Sequence, residues 1–115
     1  MGCNEIDING EKYVKKESTE LTKDFVIVRT YSAGVFAGHM KSRVGKEIIL
    51  NDAIRLWYWN GAASLSQLAM EGVSKPTDCK FAIPVTEIIL TEAIEIIKTT
   101  SISMKNIKGV KPWKK

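Results

Sequence analysis

The sequence predicts a β-rich α+β domain, either an antiparallel meander or a small partly open barrel, with one packed helix and a short C-terminal helix. Three observations predict it. Runs rich in Val, Ile, Phe, Tyr and Trp alternate with turn-forming pairs such as Ala33-Gly34 and Asn51-Asp52. The connections between these runs are too short for parallel crossovers, so the strands pair antiparallel. Helical periodicity with marked ends stands out over Ser64 to Gly72.

Residues 1–16 read as an N-terminal β-hairpin unit. Ile6 and Ile8 alternate with acids, Asn9-Gly10 supplies two positive-φ turn positions, and Tyr13 and Val14 lie on the return. Residues 17–23 contain Leu21 as their one apolar residue and read as a linker, long enough for the hairpin to reach a neighbouring subunit. Residues 24–115 then form a single α+β core domain with a basic C-terminal tail. Its first part is a four-strand meander, with strands at Phe25 to Tyr31, Val35 to Lys41, Glu47 to Leu50 and Ile54 to Trp59. In the helix that follows, Ser64 and Gln67 form a capping-box pair, Leu65, Leu68 and Ala69 make the apolar stripe, and Gly72 ends it. Phe81 to Val85 is an irregular or edge strand because of Pro84. Glu87 to Leu90 and Ala93 to Lys98 are two more strands, and Thr100 or Ser101 caps a short helix ending at Gly109.

Composition narrows the function classes. A chain of 115 residues, 44% apolar and 26% charged, fits one small domain and excludes a two-domain enzyme or a disordered chain. The longest uncharged stretch, Leu56 to Met70, is 15 residues and holds Asn60, Ser64, Ser66 and Gln67, so no membrane span is expected. Glu5, Asp7 and Glu11 near the start argue against a signal peptide, and the expectation is a cytoplasmic protein. Cys3 and Cys79 are too few for a disulfide scaffold or zinc site and read as reduced thiols. The net charge of +4 is mild, and five lysines (Lys105, Lys108, Lys111, Lys114, Lys115) follow Ser101 without an acid. No Arg-rich stripe accompanies them, so they read as a solvated end rather than a nucleic-acid surface.

Catalytic chemistry is poorly represented. His39 is the sole histidine and shows no positioned partner in the sequence. Asp24, Asp52 and Asp78 fall at predicted boundaries, where Asp bonds its own backbone. No Gly-rich phosphate loop is present. The expectation is a protein that is not an enzyme, with no catalytic residues, no metal and no cofactor.

Two rows of residues are candidates for binding. In a strand from Ile54 to Trp59, period two places Arg55, Trp57 and Trp59 on one face, where indoles stack on bases and a guanidinium meets phosphate. Pattern alone favours the other reading, that the indoles pack under the Ser64 helix or in a subunit interface, since Trp is highly buried on average. The second row ends in Arg29 and Tyr31 beside a Tyr31-Ser32-Ala33-Gly34 turn, whose backbone N–H groups and Ser32 hydroxyl suit an anion, although an ordinary hairpin turn explains Gly34 as well. Ser64, at the start of the helix after Trp59, completes the candidate set.

Several strings together resemble a known family. Val26-Ile27-Val28-Arg29-Thr30, Ala33 to Gly38, Arg55-Leu56-Trp57-Tyr58-Trp59, Gly61 to Ala69, Cys79-Lys80-Phe81, Thr91 to Ile97 and the Pro112-Trp113 end are similar to a widespread family of small phage proteins. The likeness spans about residues 24–113, and the hairpin Ile8 to Val14 resembles a segment of some members. That family is associated with the fourth type of anti-CBASS protein, oligomeric sponges that hold cyclic dinucleotides without cleaving them. The resemblance implies an immune-evasion protein of the host cytoplasm, a homo-oligomer with a tetramer favoured, that sequesters 3′,3′-cyclic GMP-AMP or a relative. The Lys-rich tail and Tyr31 before Ser32 depart from the family pattern, and the second bears on ligand preference. Two other classes stay open, a single-stranded nucleic-acid binder and a phage structural or host-interaction protein with no nucleotide ligand.

Overall fold

The computed structural model of the protein describes residues 20–114. The expected hairpin of residues 1–16 and the first part of the linker lie outside the described residues. The end of that linker is strand: β1 spans Leu21–Thr30. It is followed by β2 (Val35–Val44), β3 (Glu47–Tyr58), helix α1 (Leu65–Glu71), a 3₁₀ turn (Pro76–Asp78), β4 (Lys80–Phe81), β5 (Val85–Leu90), β6 (Ala93–Thr100) and helix α2 (Ser101–Gly109). The expected β-rich α+β class is what the chain adopts, as an antiparallel six-stranded sheet with two short helices.

The sheet runs β4-β3-β2-β1-β6, with β5 also on β3. β5 pairs with Ile48 to Ala53 and β4 with Leu56 and Tyr58, so the two share the outer edge of β3. β5 and β6 flank opposite edges, yet only Thr91 and Glu92 separate them in sequence. Four strand spacings of a flat sheet would hold them about 19 Å apart, while three Cα steps reach about 11 Å at most. The sheet therefore curls, and at that corner the Ala93 N–H donates to the Lys46 carbonyl at 3.0 Å. Among the described residues no ladder joins β5 to β6, so the sheet stays open.

The expected four-strand meander is corrected to three strands. Asn51-Asp52 is not a hairpin turn but a bulge inside β3: Ala37 pairs with Ile54 and His39 with Asn51, one extra residue on β3. Asp52 takes the positive φ (51°) that turn chemistry favours, and the chain continues instead of reversing. Gly38 opposes the bulge, where an added Cβ would stand 3.1 Å from the Ala53 Cα. The expected Phe81–Val85 strand is likewise broken, with β4 ending at Phe81 and β5 starting after Pro84.

Two cores result, one on each face. Phe25, Ile27, Ile54, Leu56 and Phe81 pack with Leu68, Ala69 and Ile107 of the helices on the outer face. Val26, Val28, Phe36, Ile48, Leu50 and Leu90 fill the inside of the curl. β1 feeds both cores, which is why four consecutive residues, Phe25 to Val28, are buried. The helices interlock through side chains: the Ser103 hydroxyl donates to the Leu68 carbonyl at 2.6 Å and the Thr100 hydroxyl to the Met70 carbonyl at 2.7 Å. The Thr100 bond satisfies a carbonyl that the end of α1 leaves open, and the Leu68 carbonyl accepts the Gly72 N–H at 2.9 Å as well. Among the described residues no helix is long and apolar enough to cross a membrane.

Candidate functional site

Beyond the Asp52 bulge the alternation of β3 is reset. Ala53 joins the inner core while Ile54 and Leu56 join the helix side, so Arg55 and Trp57 face inward with Ala53. They line a cleft of about 250 Å³ together with Phe36, Ala53, Ala82, Ile83, Val85 and Ile88. The Arg55 guanidinium carbon lies 4.8 Å from the Phe36 ring centroid and 5.6 Å from that of Trp57, held between two aromatic faces. Its Nε is buried and has no acceptor among the described residues. Among the described residues no carboxylate lines the cleft. An apolar cleft with one stranded cationic donor and an exposed indole at its rim matches an anion that carries a planar ring.

The expected row of Arg55, Trp57 and Trp59 is corrected: the structure brings two of the three together. β3 ends at Tyr58, and Trp59 turns to pack half-buried against the helix-side core, on the face away from Arg55. Trp57, 59% exposed, is the indole that remains available to a ligand. Ser64 is the N-cap of α1, its hydroxyl accepting the Gln67 N–H at 3.2 Å, while the Ala63 N–H donates to Gln67 Oε1 at 2.8 Å. Capping uses one acceptor position of that hydroxyl.

The second row also differs from the expected anion turn. The Ala33 N–H donates to the Thr30 hydroxyl at 2.9 Å, which itself donates to the Gly34 carbonyl at 2.7 Å. The Ser32 hydroxyl donates to Glu92 Oε1 at 2.6 Å, and the Tyr31 N–H to the Glu92 carbonyl at 2.9 Å. Gly34 has the positive φ (99°) of an ordinary hairpin turn. Arg29 Nε donates to Glu95 Oε1 at 2.9 Å. The Ala33 N–H, the Ser32 hydroxyl and Arg29 Nε are thus engaged locally, while residues 31–34 are all exposed and the Tyr31 ring is 79% so. Arg29 follows Phe25 and Ile27 in the two-residue period of the helix-side face, so it does not converge with Arg55.

Two features had no separate signal in the sequence. Phe36, Ile83, Val85 and Ile88 build the cleft walls, although each reads as ordinary strand residue in its own run. His39 does have a partner: Phe25 pairs with His39 across β1 and β2, which brings Asp24 Oδ1 within 2.8 Å of His39 Nδ1. The other ring nitrogen, Nε2, lies 2.7 Å from the Lys108 ammonium of α2. This cluster sits on the helix side with Phe25, whose ring meets the imidazole edge-on at 5.1 Å. Among the described residues no group of three His, Cys, Asp or Glu side chains stands together as a metal site.

Residues 23–107 match the family model of a domain of unknown function, DUF6948. The chain belongs to the DUF6948 family. The matched span begins inside β1 and ends inside α2, so it takes in the sheet, α1 and every residue lining the cleft. No curated protein and no solved structure matches the chain.

Proposed function

We propose that this DUF6948 protein sequesters a nucleotide signal. It holds a cyclic dinucleotide of the 3′,3′-cyclic GMP-AMP type at the Arg55–Trp57 cleft, releases it uncleaved, and so blunts CBASS defence in the host cytoplasm. The observation that carries this reading is the Arg55 guanidinium, stacked between Phe36 and Trp57 with a buried Nε that finds no acceptor among the described residues. A buried unpaired donor costs about 1–3 kcal/mol, and a phosphate oxygen arriving there would recover that cost while Trp57 stacks on a base. The choice of a cyclic dinucleotide, and of CBASS as the system opposed, rests on the family resemblance of the sequence.

Binding without cleavage is supported by where the titratable groups lie. The Asp24–His39 pair is on the helix side of the sheet and Arg55 and Trp57 are on the inner side, so this imidazole does not reach the cleft. The proposal includes a homo-oligomer, with the tetramer implied by the resemblance. Among the described residues the outer edge of β5 has no partner strand and Ile89 is 52% exposed, an edge that a second chain can cover.

Incubation of the full chain with 3′,3′-cyclic GMP-AMP, removal of unbound ligand, heat denaturation and chromatography of the released material tests the reading. Intact ligand in amounts that saturate with protein is expected. Linear dinucleotide or monophosphates would replace the sponge by a phosphodiesterase, and no retained ligand would leave a structural or host-interaction protein.

A further inference from the structure

The short strand β4 carries a second cation to the face of the cleft. Phe81 is buried in the helix-side core, and Ala82, whose N–H donates to the Arg55 carbonyl at 2.9 Å, lines the cleft. Alternation places Lys80 on the same face as Ala82. The register agrees: Leu56 pairs with Phe81 and Tyr58 with Lys80, so Trp57 and Tyr58 both stand against Lys80 across a bulge. The C-terminal segment then runs along the outer side of β4. Its Trp113 N–H donates to the Phe81 carbonyl at 2.8 Å, and the Lys80 ammonium lies 5.4 Å from the Trp113 ring centroid.

β3, β4 and this segment therefore present two cation–aromatic pairs side by side, Arg55 with Trp57 and Lys80 with Trp113. The Trp113 N–H bond to Phe81 sets its backbone one spacing beyond β4, about 10 Å from that of Trp57, and each indole has its own cation. Trp113 is 45% exposed, which leaves ring surface for a ligand beside Lys80. Lys111 and Lys114 flank Trp113, against one acid, Asp78, in residues 76–84. The local charge thus favours a second anionic group.

We infer that Lys80 and Trp113 form the second half of the ligand site, so that one chain takes a dinucleotide, with two bases and two phosphates, in preference to a mononucleotide. The inference rests on the nucleotide reading of the Arg55–Trp57 cleft and adds the residues that hold the second nucleotide of the ligand. It also gives the Pro112-Trp113 end a part in binding.

Equilibrium titration of the full chain with GMP, a linear guanine–adenine dinucleotide and 3′,3′-cyclic GMP-AMP tests it, on the wild type and on Lys80→Ala, Trp113→Ala and Trp113→Phe. Lys80→Ala and Trp113→Ala should each lower affinity for both dinucleotides about tenfold, the scale of one lost stacking or charged contact, and leave GMP affinity unchanged. Trp113→Phe should restore most of the loss. Equal losses for GMP and the dinucleotides, or no loss for any, would overturn the inference while leaving the cleft reading intact. A wild type that binds none of the three refutes the cleft reading and this one together. Lys80 is exposed on a two-residue strand, so its variant keeps the test valid even if truncating Trp113 disturbs the fold.

Discussion

Replacing Arg55 by Met separates a residue kept for binding from one kept for folding. The guanidinium Nε is buried with no acceptor among the described residues, and a stranded buried donor costs about 1–3 kcal/mol. Against that, its placement 4.8 Å from the Phe36 centroid and 5.6 Å from that of Trp57 stabilises the fold, by about 0.5–1 kcal/mol for each ring. Methionine retains an unbranched apolar stem that fills the space between the rings, so no large cavity term enters. The difference is centred on a gain of roughly 0.5 kcal/mol. Thermal unfolding of Arg55→Met should therefore show a Tm at or slightly above that of the wild type. Affinity for a cyclic dinucleotide, measured on the same preparation, should fall by at least about tenfold, the loss expected when one charged hydrogen bond to phosphate disappears. A Tm lower by more than about 8 °C, the mark of a kcal/mol or more lost in a domain this size, combined with unchanged affinity, would refute the reasoning and make Arg55 a structural residue.

Two further substitutions test how the remaining candidates are used. Trp59→Ala should cost about 2 kcal/mol of stability in urea unfolding, below the ~3–5 kcal/mol of a fully buried aromatic because Trp59 is half-buried, and the folded fraction should bind nucleotide normally. Ser64→Ala should cost about 1 kcal/mol through loss of the α1 cap and leave affinity unchanged; a selective loss of binding would return Ser64 to the ligand site.

Much of the architecture was legible because local signals and packing agree. The Ser64–Gln67 pair caps α1, the Thr100 hydroxyl caps α2 by accepting the Ser103 N–H at 3.1 Å, and Gly72 ends α1 with φ 79°. At Gly72 a Cβ would stand 2.5 Å from Asn106 Oδ1, the atom that accepts the Val73 N–H and ties α1 to α2. Asn51-Asp52 misled because a bulge and a turn want the same positive φ; the pairing of β3 with both β2 and β5 decides between them, and those partners lie far off in sequence.

The site was legible only in its centre. Period two identified Arg55 and Trp57 correctly as neighbours on one face, and failed at Trp59 because the bulge opposite Lys80 ends the strand first. The turn after β1 had the composition of an anion site, yet Thr30, Glu92 and Glu95 engage its Ala33 N–H, Ser32 hydroxyl and Arg29 Nε. Glu92 and Glu95 reach it only through the curl of the sheet and the β1–β6 pairing. The partners of His39 were hidden for a similar reason: Asp24 comes from the neighbouring strand and Lys108 from the last helix. Lys80 and Trp113 meet because the chain end is tied to Phe81, which no local pattern announces.

The central claim, that the inner cleft is a nucleotide site, is tested most directly by calorimetric titration of 3′,3′-cyclic GMP-AMP into the wild type and Trp57→Ala. Trp57 is 59% exposed, so its truncation should leave the chain folded, with the Tm lowered by only a few degrees through loss of its contact with Arg55. The account predicts saturable binding by the wild type and an affinity weakened by roughly tenfold or more in the variant, the scale of one lost base–indole stack. No binding heat from the wild type, or equal affinity in the two proteins, would contradict it.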